Sequence, residues 1–310
     1  MNKFFKLRVT SDFLVNSLCA ITIGAGFTEL TANVFLNKLY VQVCKEATKN
    51  KKPVVLSESL RKLHDDVTRD IKLTDFQKIF STPFVAEGLD PINIGCINYR
   101  TGCYIGIPSY YDLNDIISSS NAENLELQDY IYLMKENSES SKKFMDSLNL
   151  SESAKKYSIA RELILTDNSQ IFIKSISWSM ISIPMYLLGN TILNLLPANP
   201  IKIRFLALFL LCNVGVFICL LLRTGIENFY QIQADKKLCN INEEYIHGGI
   251  EYYEKLIQRN LALRDIVPNG DQLYSENGNK HSFISLFSEL PLTYRKAYLE
   301  KKLKNENNKS

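Results

Sequence analysis

Phe205–Leu222 is a run of 18 residues without a single charged side chain, bracketed by Arg204 and Arg223. A helix in a water-soluble core needs only one apolar stripe, so a run that is apolar all round is poorly explained by such a core. It is long enough to cross a bilayer. The preceding stretch Ile171–Leu196 is of similar character, with Lys174 near its start and Pro184 inside. Pro197 and Pro200 close it. Backbone in lipid must satisfy its own hydrogen bonds, which favours helices. The connection Pro197–Lys202 is too short for a domain. The expected arrangement is a transmembrane hairpin over 171–222, with spans 171–196 and 203–222. Asn190, Asn194 and Asn213 are placed to bond between helices.

A further span is expected at the N-terminus. Lys3, Lys6 and Arg8 precede an apolar stretch, Phe13–Thr28, which reaches bilayer length only if extended past Glu29 to Leu36. The preferred reading of 1–36 is a retained signal-anchor helix. A cleaved secretory signal is the alternative, although no clear cleavage site follows. The basic, acid-poor start also suits mitochondrial targeting. With three spans, the basic N-terminus and Lys202–Arg204 fall on one side, as the positive-inside rule asks. Residues 37–170 and 223–300 then share the opposite side and can build one domain; the intermembrane space is the preferred compartment. The fold class expected is a mainly α membrane protein with an α+β extramembrane domain.

Elsewhere the chain reads as soluble. Over all 310 residues, 46% are hydrophobic and 22% charged, because the apolar residues are concentrated in a few places. The 36 basic and 33 acidic residues leave a net charge of +3, which makes no case for nucleic acid. Ser57–Asp70 has Leu60, Leu63 and Val67 at helical spacing. Ile92–Tyr99 and Cys103–Ile107, separated by Arg100-Thr101-Gly102, predict a β-hairpin with Gly102 in the turn. That hairpin offers a strand edge for an extended client segment, with Ile94, Tyr104, Ile105 and Ile107 as contacts. Asn114–Ser138 reads as polar loop and helix. Ser151 is a candidate cap for a helix over Ser153–Leu165. A helical stretch from Arg223 through Asp235 to Tyr245 is expected to break at Gly248-Gly249. Ile250, Tyr253, Ile257 and Leu261 then recur on one side of an amphipathic helix. The charged tail 301–310 is expected to be disordered.

The seven cysteines form no C-x-x-C pair, so free thiols are favoured, although Cys96 and Cys103 could face each other across the hairpin. Only three histidines exist, far apart in sequence. No cofactor, metal or small-molecule substrate is indicated.

Two resemblances add to this. The order of hairpin, Ala160-Arg161-Glu162 helix, two spans, and Gln231-Ile232-Gln233-Ala234-Asp235 resembles the membrane zinc endopeptidases that include the CaaX prenyl protease and its heat-shock relatives. Their HExxH histidines fall on Arg161 and Leu165, their catalytic glutamate on Glu162, their third ligand on Gln231 and the following aspartate on Asp235. Arginine and leucine cannot ligate zinc. The resemblance therefore implies an inactive scaffold, with an Arg161–Asp235 ion pair holding two helices together where zinc once did; an active membrane hydrolase is the alternative. More specifically, Gly248-Gly249-Ile250-Glu251-Tyr252-Tyr253-Glu254-Lys255-Leu256, Asn260-Leu261-Ala262-Leu263-Arg264, Gly106-Ile107-Pro108 and Ala160-Arg161-Glu162 resemble the transmembrane protein 177 family. That resemblance implies a multi-pass protein of the mitochondrial inner membrane without catalytic residues. It implies a role in cytochrome c oxidase biogenesis, with newly made subunit 2 and its membrane chaperone as partners. Tyr252, Tyr253 and Arg264 are further candidate contacts.

Overall fold

The computed structural model describes residues 2–45, 55–112, 138–166, 169–196, 201–282 and 287–308. In chain order its helices are α1 (Asn2–Val34), α2 (Asn37–Cys44), α3 (Glu58–Asp70), α4 (Asp75–Ile79), α5 (Ser138–Leu148), α6 (Glu152–Thr166), α7 (Gln170–Leu195), α8 (Ile201–Cys239), α9 (Glu243–Ile266), α10 (Gly270–Leu273) and α11 (Leu292–Asn307). Three strands, β1 (Ser81–Ala86), β2 (Ile92–Gly95) and β3 (Cys103–Pro108), lie between α4 and α5. The stretch Asn114–Ser138, expected as loop and helix, lies outside the described residues except for Ser138. The chain divides into two compact units, one of residues 1–33 and 169–227, the other of 34–168 and 228–310.

The first unit is built from α1, α7 and the first part of α8. α7 and α8 are both long and apolar enough to cross a membrane. α1 reaches that standard only when taken together with α2 as one broken span. Contacts between α7 and α8 run in antiparallel order: Lys174 Nζ lies 3.2 Å from Glu227, Met185 packs on Gly215, and Gly189 faces Leu208. Val15 of α1 joins Leu193 and Leu208 in a small apolar cluster. Outward faces carry bare apolar side chains such as Phe205, Leu206, Phe209 and Leu210, each more than half exposed. Water does not tolerate so continuous a patch, and lipid does.

Glu29 is the anomaly in the apolar N-terminal run, and the structure accounts for it. Its carboxylate accepts from both terminal nitrogens of Arg223 at 2.6 Å, and from the Trp178 indole at 3.2 Å. The same guanidinium lies 5.8 Å from the Trp178 ring centre. A carboxylate among apolar helices is tolerable because a bidentate arginine meets it.

The second unit centres on α6 and α9. β3 is the middle strand of the sheet, order β1-β3-β2, parallel to β1 and antiparallel to β2. The hairpin expectation therefore holds for β2 and β3, with a longer loop than Arg100-Thr101-Gly102. β1 was not anticipated: Pro83 sits within it, a residue sheets accept on an edge strand such as this. The central position of β3 also removes it as a docking edge, since both its sides are already paired. Ser57 caps α3, its hydroxyl accepting from Leu60 N at 3.3 Å, and Leu60, Leu63 and Val67 are buried as the spacing predicts. Ser151 Oγ accepts from Ala154 N at 3.2 Å at the start of α6, and donates to Glu251 of α9.

Three expectations fail in this unit. Gly248 and Gly249 do not end a helix; both lie inside α9, and the break falls instead at residues 240–242, before the Asn242 cap. They are needed for close approach. A Cβ on Gly248 would stand 2.3 Å from the Ser153 carbonyl oxygen, and one on Gly249 2.6 Å from the Tyr157 ring. The buried side of α9 is consequently turned: Tyr252, Tyr253, Leu256, Asn260 and Leu263 face inward, whereas Ile250, Ile257 and Leu261 are half-buried. The tail is not disordered up to Asn307. α11 runs that far because Leu299 is fully buried and Leu303 packs on the same core. All seven cysteines are free, and burial lifts the Cys103 thiol to about 11, leaving it unreactive.

Gly248→Ala replaces a poor helix former, a gain of about 1 kcal/mol. Against that stands a backbone carbonyl that cannot move aside, an overpacking cost of about 1–3 kcal/mol. The expected outcome is a lower melting temperature in detergent, whereas Gly225→Ala, with nothing within 4 Å of its Cβ, leaves it unchanged or raises it.

His64 supplies a pH dependence. It is buried, its Nε2 is 2.9 Å from Ser81 Oγ, and its Nδ1 is 3.5 Å from Asp65. Burial lowers its pKa, outweighing Asp65. A histidine held neutral in the fold contributes no penalty above its unfolded value near 6.5 and destabilises as pH falls below it, by up to about 1.4 kcal/mol per unit. Unfolding free energy measured between neutrality and mildly acidic pH should fall more steeply for this chain than for His64→Gln.

Candidate functional site

The second unit buries a set of charges in its core. Asp235, near the end of α8, is the focus. Arg295 of α11 donates to it through both Nε (2.7 Å) and Nη2 (2.6 Å), a bidentate pair. Tyr157 of α6 and Tyr253 of α9 each donate a hydroxyl to Asp235 Oδ1 at 2.8 Å. Arg295 also lies over the Tyr253 ring, 4.6 Å from its centre. Four helices thus converge on one carboxylate, which is 2% exposed.

Arg161 and Glu162 lie beside this focus on α6. Arg161 Nη1 donates to Glu162 Oε1 at 2.7 Å, and Asn93 of β2 donates to Glu162 Oε2. Burial lifts the Glu162 carboxyl above the usual range, and this outweighs Arg161 and Asn93. A third pair adjoins the group, its arginine buried and its acid half exposed. Arg259 of α9 donates to Asp90 Oδ1 (2.6 Å) and to the Leu89 carbonyl (2.7 Å), the latter shared with the Tyr110 hydroxyl. Burial works to raise the Asp90 carboxyl, but Arg259 and Lys280 together prevail and hold it below its ordinary value.

The predicted residues are therefore brought together. Arg161 Nε lies 3.9 Å from Asp235 Oδ1, so the expected ion pair is present, although it is long and carries no hydrogen bond. The reason is competition: Arg295 takes the carboxylate with two nitrogens, and Glu162 takes the Arg161 guanidinium. Leu165, one turn beyond, is buried in the apolar core. Gln231 is half-buried one turn before Asp235, its buried Oε1 without a hydrogen-bond partner among the described residues.

The candidate contact residues need a firmer correction. Ile94, Ile105, Ile107, Tyr252 and Tyr253 are all at most 3% exposed and form the interior. β3 is the central strand, and the two tyrosines face α6, so none of the five can touch a partner. Tyr104 and Arg264 remain half-buried, the former against Val41 and Phe84, the latter 3.9 Å from Glu276.

Sequence reading missed Arg295, Tyr157, Asn93 and the Arg259–Asp90 pair. One signal for Arg295 was present. Leu292, Arg295, Leu299 and Leu303 fall at helical spacing, which puts an arginine on an apolar stripe. Each of the three carboxylates in the arrangement is engaged by an arginine, and the bonds to Asp235 tie α6, α9 and α11 to α8. Among the described residues, no group of three His, Cys, Asp or Glu side chains is placed to hold a metal ion.

Removing one partner of a buried pair strands the other charge, a loss of about 3–5 kcal/mol. Asp235→Leu and Arg295→Leu should each lower stability by that order. The double variant should lose clearly less than the sum, read by thermal unfolding in detergent.

A sequence profile described as transmembrane protein 177 matches residues 43–289. Transmembrane protein 177 of Xenopus laevis is 28% identical over 284 residues, covering 88% of each chain. That of Danio rerio is 24% identical over 99% of both chains, and that of Homo sapiens 26% identical over 79% of this chain and 78% of its own. No solved structure matches. With the family profile covering most of the chain, this is a membrane protein that belongs to the transmembrane protein 177 family.

Proposed function

We propose that this chain is a non-enzymatic assembly factor of the mitochondrial inner membrane. It stabilises newly made cytochrome c oxidase subunit 2 together with that subunit's membrane chaperone. The observation that carries the non-enzymatic part is the closed ionic cluster: where a related peptidase would hold zinc and water, Arg161, Glu162 and Asp235 are spent on one another and on Arg295. The assembly part rests on the family resemblance, and family membership supports it.

In this reading α1 is a signal anchor, and α7 and α8 form a transmembrane hairpin. The antiparallel contacts between α7 and α8 and the bare apolar faces of both support that arrangement. The second unit then stands in the intermembrane space, as the basic N-terminus and Lys202–Arg204 favour.

Affinity purification of the tagged full chain from mitochondria, after a pulse of labelled translation products, should recover subunit 2 and its chaperone. Recovery of no oxidase subunit and no assembly factor would overturn the reading. Glu162→Gln separates it from hydrolysis: per folded molecule, oxidase assembly should persist, whereas a hydrolase would lose all activity.

A further inference from the structure

Helix α2 carries three stripes of different chemistry. Asn37, Val41 and Cys44, at i, i+4 and i+7, face the sheet. Asn37 Nδ2 donates to the carbonyls of Thr101 (3.0 Å) and Gly102 (3.1 Å). Val41 packs on Phe84, Ala86 and Ile94, and the Cys44 carbonyl accepts from Glu87 N at 3.0 Å. These bonds fix the rotation of the helix. The second stripe, Leu36, Leu39, Tyr40 and Val43, follows i, i+3, i+4 and i+7, and its members are 47%, 57%, 57% and 77% exposed. The third, Lys38, Gln42 and Lys45, is polar and exposed.

A helix locked to a sheet cannot turn to bury its apolar stripe, and the stripe stands exposed among the described residues. The covalent chain restricts what can cover it. Asn37 follows Val34, the last residue of α1, by three residues, a reach of about 10 Å at full extension. α1 belongs to the apolar unit that contains the membrane-length helices. Charge points the same way. The sequence following the stripe carries Lys45, Lys49, Lys51 and Lys52 against Glu46 alone. A basic run near an anionic leaflet is drawn to it electrostatically. Apolar, basic and protein-facing sectors on one short helix are the pattern of an interfacial helix.

We propose that α2 is an in-plane membrane helix. Leu36, Leu39, Tyr40 and Val43 sit at the acyl boundary of an anionic lipid surface, and Lys38 and Lys45 lie at its headgroups. The lysine stems reach outward while their ammonium groups stay hydrated, and Tyr40 occupies the depth that aromatic belts favour. The helix thereby docks the sheet to the bilayer. The inference does not depend on the oxidase role, so failure of either leaves the other standing.

The test uses the full chain in vesicles, where Trp178 is the only native tryptophan. Val43→Trp and Leu39→Trp place a reporter on the stripe, and Lys62→Trp, exposed on α3, serves as the aqueous control. Emission is read after subtraction of the unsubstituted chain. In vesicles containing phosphatidylglycerol, acyl-brominated lipid should remove at least about half of the stripe signal and little of the control, with aqueous iodide doing the reverse. Iodide quenching of the stripe equal to that of Lys62→Trp would overturn the proposal. Shielding from both quenchers would also overturn it, because a protein surface would then be the cover. Equal lipid quenching in neutral and anionic vesicles would overturn the assignment of an anionic surface.

Discussion

The carboxylate of Asp235 is the point on which the second unit depends. Two arginine nitrogens and two tyrosine hydroxyls reach it from three other helices, α11, α6 and α9. Each of those helices has apolar reasons to pack, and none of those reasons fixes a register. Apolar contacts tolerate sliding by a fraction of a turn, whereas a buried carboxylate left without its donors costs several kcal/mol. The bidentate geometry accepts one position of α11 along α8. The neighbouring pairs, Arg161 with Glu162 and Arg259 with Asp90, extend the same constraint to β2 and to the segment before it. Each of the three arginines thus has an acid partner, two of the acids buried and Asp90 half exposed.

The first unit solves a related problem in an apolar setting. Glu29 and Arg223 would each be costly alone, and their bidentate pairing with Trp178 alongside makes them mutually tolerable. The remaining packing is done by small residues. Gly26 lets α1 approach the Ser175 carbonyl, and Gly215 makes room for Met185. Lipid is as apolar as leucine, so helices in it associate through close backbone approach and polar bonds rather than through the hydrophobic effect.

What could be read from the sequence was local. The α3 helix announces itself through Ser57 and its leucine spacing, α6 through Ser151, and α7 and α8 through their length without charge. What could not be read was non-local. β1 contains a proline and finds its place only by pairing in parallel with β3, a partner absent from its own pattern. The end of α11, from Lys301, looks like a charged tail because its charges outnumber its leucines; its helicity comes from a core that the rest of the chain supplies. The candidate site shows the same division. Arg161, Glu162 and Asp235 could be singled out by position, but which acid met which arginine could not. Arg295, 60 residues from Asp235, won that competition through geometry.

The glycine pair in α9 makes the point in reverse. Two consecutive glycines read as a helix break because each lowers helix propensity by about 1 kcal/mol. Here they are retained within a helix because Ser153 and Tyr157 of α6 occupy the space that Cβ atoms would need. The close crossing they permit brings Tyr157 and Tyr253 within reach of one oxygen of Asp235. Glycine in this helix is a requirement of the ionic cluster, and the cluster in turn rewards the helix for carrying residues that weaken it. Neither feature is intelligible alone, since a tighter helix without the crossing would leave Asp235 short of two donors in the middle of a core.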